Sequence, residues 1–225
     1  MHKLLKNVLA MIKKPLDDGG LRVDLVYKKN INTEKLDMYQ KSHFSRYEFA
    51  KKQILKNSVC GDFACGTGYG SVMIAEKAKK VVGVDEDSRV IDEIKKRYKR
   101  VNNLEFIKSD LLKLKFKRIF DFIISFETLE HFKEEDILRL LNIYHRILKL
   151  NGKIIFSTPY MQINSKEAKT MGFHKTFFIN REKIIGWLNK TRFKPSCYKY
   201  QNYQTHAISD NPKIKDFIIC IAEKI

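Results

Sequence analysis

The segment 121–132, DFIISFETLEHF, sets two carboxylates and an imidazole, Glu127, Glu130 and His131, directly behind an apolar run. Spaced at i, i+3 and i+4, all three side chains share one face if the chain makes a helical turn here, and they would converge on one point. Three chemistries fit that set. Carboxylate and imidazole together can ligate a divalent cation, an imidazole can act as a general base, and acids in a first turn can simply favour a helix N-terminus through its dipole.

A second constellation lies upstream in VCGDFACGTGYGS, residues 59–71, where glycines follow an apolar strand-like run and open a helical pattern. Gly66 and Gly68 permit a tight turn and close approach of a ligand to backbone N–H groups at a helix start. Position 71, where GxGxxG would need a third glycine, is Ser71, and the lysine of a P-loop is absent, so dinucleotide and nucleoside-triphosphate binding both lose ground. Acids then recur at strand ends. Asp85 closes KVVGVD and Asp110 closes LEFIKSD. A carboxylate at the second strand end can accept both hydroxyls of a ribose and one at the third can accept an adenine amino group, so with Asp62 they outline an adenosine pocket.

These residues need a scaffold, and the chain supplies an alternating one. Strands are predicted at 59–63, 80–85, 104–108, 120–125, 153–158, 196–202 and 216–222, with helices at 70–78, 88–99, 134–149 and 180–190. Alternation of this kind specifies an α/β fold, a doubly wound, seven-stranded Rossmann-like sheet. Residues 57–225 are assigned to that domain and 1–56 to a helical extension and lid, within which a helical region runs over 33–56. Residues 1–14, MHKLLKNVLAMIKK, gather their apolar side chains on one helical face, suited to docking on the domain or lying on a membrane surface. The longest stretch without an element, 160–179, would cross the carboxyl ends of the strands.

Composition narrows the classes. The chain has 225 residues, 44% hydrophobic, enough for one sizeable core. No twenty-residue apolar run or signal peptide is present, so a cytoplasmic location is expected. Cys60, Cys65, Cys197 and Cys220 are too scattered for a disulfide framework or a zinc site. Lys plus Arg exceed Asp plus Glu by 44 to 26, a balance of +18 that suits RNA, an anionic membrane or a phosphorylated substrate, or that reflects a general lysine bias.

Five segments in order, DFACGTGYG, VVGVDED, IKSDLL, FDFIISFETLEH and ILKLNGKIIFSTP, resemble the motifs of class I S-adenosylmethionine (SAM)-dependent methyltransferases, with similarity running from about Tyr39 to Pro159. The resemblance implies that fold and SAM as cofactor. It places the Gly66–Gly68 backbone against the methionine part, Asp62 near its amino group, Asp85 on the ribose, and Asp110 with Leu111 at the adenine. Ala64, Glu86 and Phe126 complete the cofactor set. Tyr39 and Arg46 are expected to close over the cofactor, the arginine pairing with its carboxylate. Ala64 departs from the family, many members of which have glycine there.

ETLEH further resembles the ExxEH segment of small-RNA 2′-O-methyltransferases and ubiquinone-pathway O-methyltransferases. That likeness implies a Mg²⁺, Mn²⁺ or Fe²⁺ site built from Glu127, Glu130, His131 and a later histidine, for which His174 is the candidate. Without a metal, His131 or His174 would be the base. RYEFAKKQIL and the FSTPY…H…FF pattern resemble bacterial sugar and glycan O-methyltransferases. A saccharide or nucleotide-linked sugar is therefore the expected acceptor. An RNA 3′-terminal ribose and a quinone-precursor phenol are the alternatives, the phenol reached with the help of residues 1–14 at a membrane.

Overall fold

The computed structural model describes residues 22–23, 25–165 and 173–225, so the amphipathic segment 1–14 lies outside the described residues. Eight strands form one sheet in the order β3-β2-β1-β4-β5-β8-β6-β7. They are β1 (Val59–Phe63), β2 (Lys80–Asp85), β3 (Leu104–Lys108), β4 (Phe120–Phe126), β5 (Leu148–Pro159), β6 (Phe193–Gln201), β7 (Ile208–Ser209) and β8 (Phe217–Lys224). The first five are parallel, and β8 lies antiparallel between β5 and β6. The eighth strand, β7, corrects the expected seven. It is two residues long, pairs only with the end of β6, and is too short to carry an apolar pattern.

Helices cover both faces: α1 (Met38–Gln53), α2 (Tyr69–Ala75), α3 (Ser88–Arg97), α4 (Glu134–Ile147) and α5 (Arg181–Lys190). Their starts follow local chemistry. Asp37 and Gln40 close a capping box on α1, Asp87 accepts the Arg89 N–H at α3, and Asn180 accepts the Lys183 N–H at α5. α4 stops at Ile147 rather than 149 because Leu148 is drawn into β5, pairing with Phe120 ahead of a bulge. One core, around Phe63, Phe120, Ile123, Tyr144 and Trp187, lies under α4 and α5. A second, around Tyr47, Met73, Ile124 and Ile155, lies under α1 and α2, and a third, around Ile91, Ile94 and Phe106, under α3.

The strand order reverses between β1 and β4, which opens a crevice beyond their carboxyl ends. The glycine turn at its floor is made by sterics. Gly66 and Gly68 take φ of +51° and +73°, and a Cβ on Gly68 would stand 2.8 Å from Phe106 Cζ. Gly68 therefore serves packing, whereas a Cβ on Gly66 would meet nothing closer than Arg22 at 3.8 Å, on the open side. Ala64 also sits in the left-handed region, at φ +61°. That conformation costs an alanine roughly 1 kcal/mol and is the physical reason glycine suits the position.

Candidate functional site

One cleft of about 910 Å³ runs from the glycine turn to the ETLEH turn. Its near end is walled by Ala64, Gly66, Asp85, Glu86, Asp110 and Leu111, its middle by Tyr39 and Phe126, and its far end by Glu127, Glu130, His131 and His174. The residues expected on a nucleoside and those expected at a reacting centre thus share one continuous space.

Asp85, at the tip of β2, uses Oδ2 to accept the Gly66 N–H at 3.0 Å and Oδ1 to accept the Asp87 N–H at 3.1 Å. Arg22, which belongs to no motif, donates to the same Oδ1 at 3.2 Å. Asp110 caps the short turn 111–113 by accepting the Leu112 N–H, which fixes its carboxylate at the cleft wall.

Asp62 and Arg46 lie elsewhere than expected. Asp62 is fully buried, its oxygens taken by Tyr47 Oη at 3.0 Å and Ser71 Oγ at 2.6 Å, and it braces the glycine turn from behind the cleft wall. Ser71, which breaks the dinucleotide glycine pattern, is what holds it. Arg46 is also fully buried. Its Nη1 donates to Gln201 Oε1 at 3.0 Å, its guanidinium covers the Phe217 ring, and Glu127 lies 3.7 Å away. Its Nε and Nη2 have no hydrogen-bond partner among the described residues.

Burial raises the Asp62 carboxyl to about 6, against the lowering effect of Ser71 and Tyr47. With an unfolded value near 4, the folded state binds the extra proton, so this group's contribution to stability is fullest below about pH 4 and declines up to about pH 6, by roughly 3 kcal/mol. Asp62→Asn is expected to remove that decline. Unfolding free energies at pH 5 and pH 7.5 check it, and equal pH slopes in both proteins would refute the assignment.

The ETLEH segment does not form the single helical face its spacing suggested. Glu127 adopts φ +48° and only Leu129–His131 turn, as a 3₁₀ helix. Glu127 consequently faces Ser157, whose Oγ donates to its Oε1 at 2.6 Å, and Arg46. Glu130, His131 and His174 instead come together, with ligand atoms all within 4.8 Å of one another. The correction to the expected four-residue set is therefore that Glu127 stands apart from the other three.

The segment carrying His174 is laced to the turn by Lys175 and Thr176 N–H groups, both donating to the Glu130 carbonyl. His131 Nδ1 bonds the Phe173 carbonyl at 3.0 Å, and His174 Nδ1 bonds Gln162 Oε1 at 2.6 Å. Both acceptors require a proton on Nδ1, which leaves each Nε2 with a free lone pair. Burial lowers both imidazoles, His174 to about 4, so both are neutral at pH 7. Glu130 is 1% exposed, neither of its oxygens makes a hydrogen bond of good geometry, and burial with the nearby Glu127 pushes its carboxyl well above the usual range against the weaker lowering effect of its own N–H and the Thr158 hydroxyl. A buried carboxylate without a well-formed hydrogen bond beside two neutral imidazoles fits a divalent cation.

Residues 61–152 match a family model described as a methyltransferase domain. A probable S-adenosylmethionine-dependent methyltransferase of Mycobacterium tuberculosis is 28% identical over 120 residues, 52% of this chain and 42% of that protein. The chain thus spans less than half the length of that relative. Among solved structures, the N-methyltransferase NodS from Bradyrhizobium japonicum, in complex with S-adenosyl-L-homocysteine, superposes with a TM-score of 0.64 at 14% identity, covering 85% of this chain and 89% of that one. The [4+2]-cyclase SpnF superposes with a TM-score of 0.66 at 13% identity, each chain covered to 84%. These likenesses establish the fold, and SpnF shows that the fold alone does not name a reaction. No helix among the described residues is long and apolar enough to cross a membrane.

Proposed function

We propose that this chain, which carries a methyltransferase domain of the SAM-dependent kind, moves a methyl group to a hydroxyl of a saccharide or nucleotide-linked sugar with help from a divalent cation. The observation that carries the reading is Glu130, a buried carboxylate with neither oxygen in a hydrogen bond of good geometry, beside the free Nε2 atoms of His131 and His174 in the same cleft as Asp85 and Asp110. When bound, SAM supplies an electrophilic methyl on its sulfonium, and the cation supplies Lewis-acid lowering of the hydroxyl pKa.

The chain's own residues do the rest. Asp85 accepts the ribose hydroxyls, and Asp110 with Leu111 meets the adenine. The unpartnered Nε and Nη2 donors of Arg46 suit the cofactor's carboxylate, although the cleft wall stands between in the described arrangement. Tyr39 and Phe126 narrow the middle of the cleft and exclude water from the transfer. The hydroxyl proton leaves to solvent as the carbon–oxygen bond forms and the carbon–sulfur bond breaks; with no cation bound, the Nε2 of His131 or His174 would take that proton instead.

Beyond the cluster the cleft is lined by Tyr160, Gln162, Lys175, Lys215 and Asp216, a polar set with two cations that supports an anionic, hydroxyl-rich acceptor. Transfer from labelled SAM to sugars, nucleotide sugars, RNA ends and catechols, with and without chelator, tests the reading. Label should reach a sugar hydroxyl, be lost with chelator and return with Mg²⁺ or Mn²⁺. Methylation of an amine, or full activity under chelation, would overturn it.

A further inference from the structure

We propose that the edge of the sheet opposite the cleft is a docking face for an anionic lipid bilayer. In the chain the lysines look evenly scattered, but the topology gathers them. β1 to β5 are parallel and β6 runs the same way, so the segments entering all six strands lie on one edge.

Five of those six segments are basic. β1 follows Lys56, β2 begins after Lys79, β3 follows Lys99 and Arg100, β4 follows KFKR at 115–118, and β6 follows KTR at 190–192. All of these lysines and arginines are exposed. Acids on this edge are few and already engaged: Asp121 with Lys149, Glu223 with Lys153, and Glu105 with Lys80. None of Lys56, Lys99, Arg100, Lys117, Arg118 and Arg192 pairs with a described acid. The cleft edge is mixed instead, with Asp85, Glu86, Asp110, Glu127 and Glu130 interleaved with Arg22, Lys175 and Lys215.

The same edge exposes aliphatic side chains among the bases. Leu55 is 67% exposed, Leu150 71% and Ile119 36%. Aromatics of these segments are turned inward instead: Phe120 and Phe193 are buried, and Phe116 packs on Phe63 and Phe120. Nucleic acids are held by phosphate contacts and by stacking on exposed aromatics, whereas an anionic bilayer attracts the bases and takes isolated aliphatic side chains into its headgroup boundary. The exposed set matches the bilayer. Docked this way, the cleft faces away from the membrane, open to acceptors from solution.

Co-sedimentation of the full chain with phosphatidylcholine vesicles, with or without about one-third phosphatidylglycerol, tests this. Binding is expected only to the anionic vesicles. The quadruple change Lys99→Glu, Arg100→Glu, Lys117→Glu and Arg118→Glu should weaken it at least ~100-fold. Leu55→Ser with Leu150→Ser, which leaves the charge intact, should weaken it about tenfold. Lys133→Glu with Lys213→Glu, on the cleft edge, should change it less than about twofold. Vesicle binding unchanged in the quadruple variant would overturn the proposal. So would tighter binding of single-stranded RNA than of vesicles, with no effect of the leucine changes on either.

Discussion

Replacing Glu130 or His174 by Ala is expected to lower methyl transfer by roughly 10²–10³-fold, the part of the barrier that Lewis-acid assistance supplies, while leaving SAM affinity within about threefold. Mn²⁺ binding followed by electron paramagnetic resonance should disappear in parallel, so the ligand role has a readout apart from turnover. The effect on folding has the opposite sign. Glu130 is buried, makes no hydrogen bond of good geometry and sits near Glu127, so its ionised form destabilises the metal-free fold. Glu130→Ala should therefore melt no lower than the parent protein in the absence of metal. A group retained against stability is the mark of a site shaped by chemistry. Unchanged turnover and Mn²⁺ binding in both variants would remove the cation from the reading. A variant that loses turnover only by melting would show that Glu130 merely packs.

Asp85→Ala should weaken binding of SAM and of S-adenosyl-L-homocysteine by roughly 30- to 1000-fold, measured by calorimetry. Two charge-assisted hydrogen bonds to ribose hydroxyls, each contributing about 1–2 kcal/mol in this partly solvated position, set that range. Asp85 also accepts the Gly66 and Asp87 N–H groups, so its loss loosens the glycine turn. Asp85→Asn separates the two roles. The amide oxygen can still accept one backbone N–H, but the charge is gone, so affinity should stay at least about tenfold low while thermal stability largely recovers. Affinity equal to that of the parent in both variants would take Asp85 out of the ribose site.

The order of elements was legible because strands of a parallel sheet are apolar along their length and the turns between them carry glycine, proline and caps. β1, β2 and β3 fall where the residues placed them, and the cleft residues Gly66, Asp85 and Asp110 follow from standing at strand ends. Where the reading departed, a local rule met a tertiary one. The i, i+3, i+4 spacing of Glu127, Glu130 and His131 assumes a helix, but the Glu127 N–H bonds the Ser157 carbonyl, and β5 pulls that residue out of the turn. Asp62 looked like a ligand residue because it stands just before the carboxyl end of β1, yet Tyr47 and Ser71 reach it first. Arg22 was invisible because nothing in its neighbours records a contact with a residue 63 positions away.

The sequence by itself determined the alternating α/β architecture, the glycine turn and the acids beyond it, since each depends on periodicity or on a residue's own backbone freedom. Only the tertiary structure decided which acid joins the two histidines and which is diverted to Arg46, because that choice depends on strand register across β4 and β5. It also decided that bases scattered along the chain share the edge where the parallel strands begin. Parallel strands bring every entering segment to the same edge, a consequence of topology that no local stretch of sequence contains.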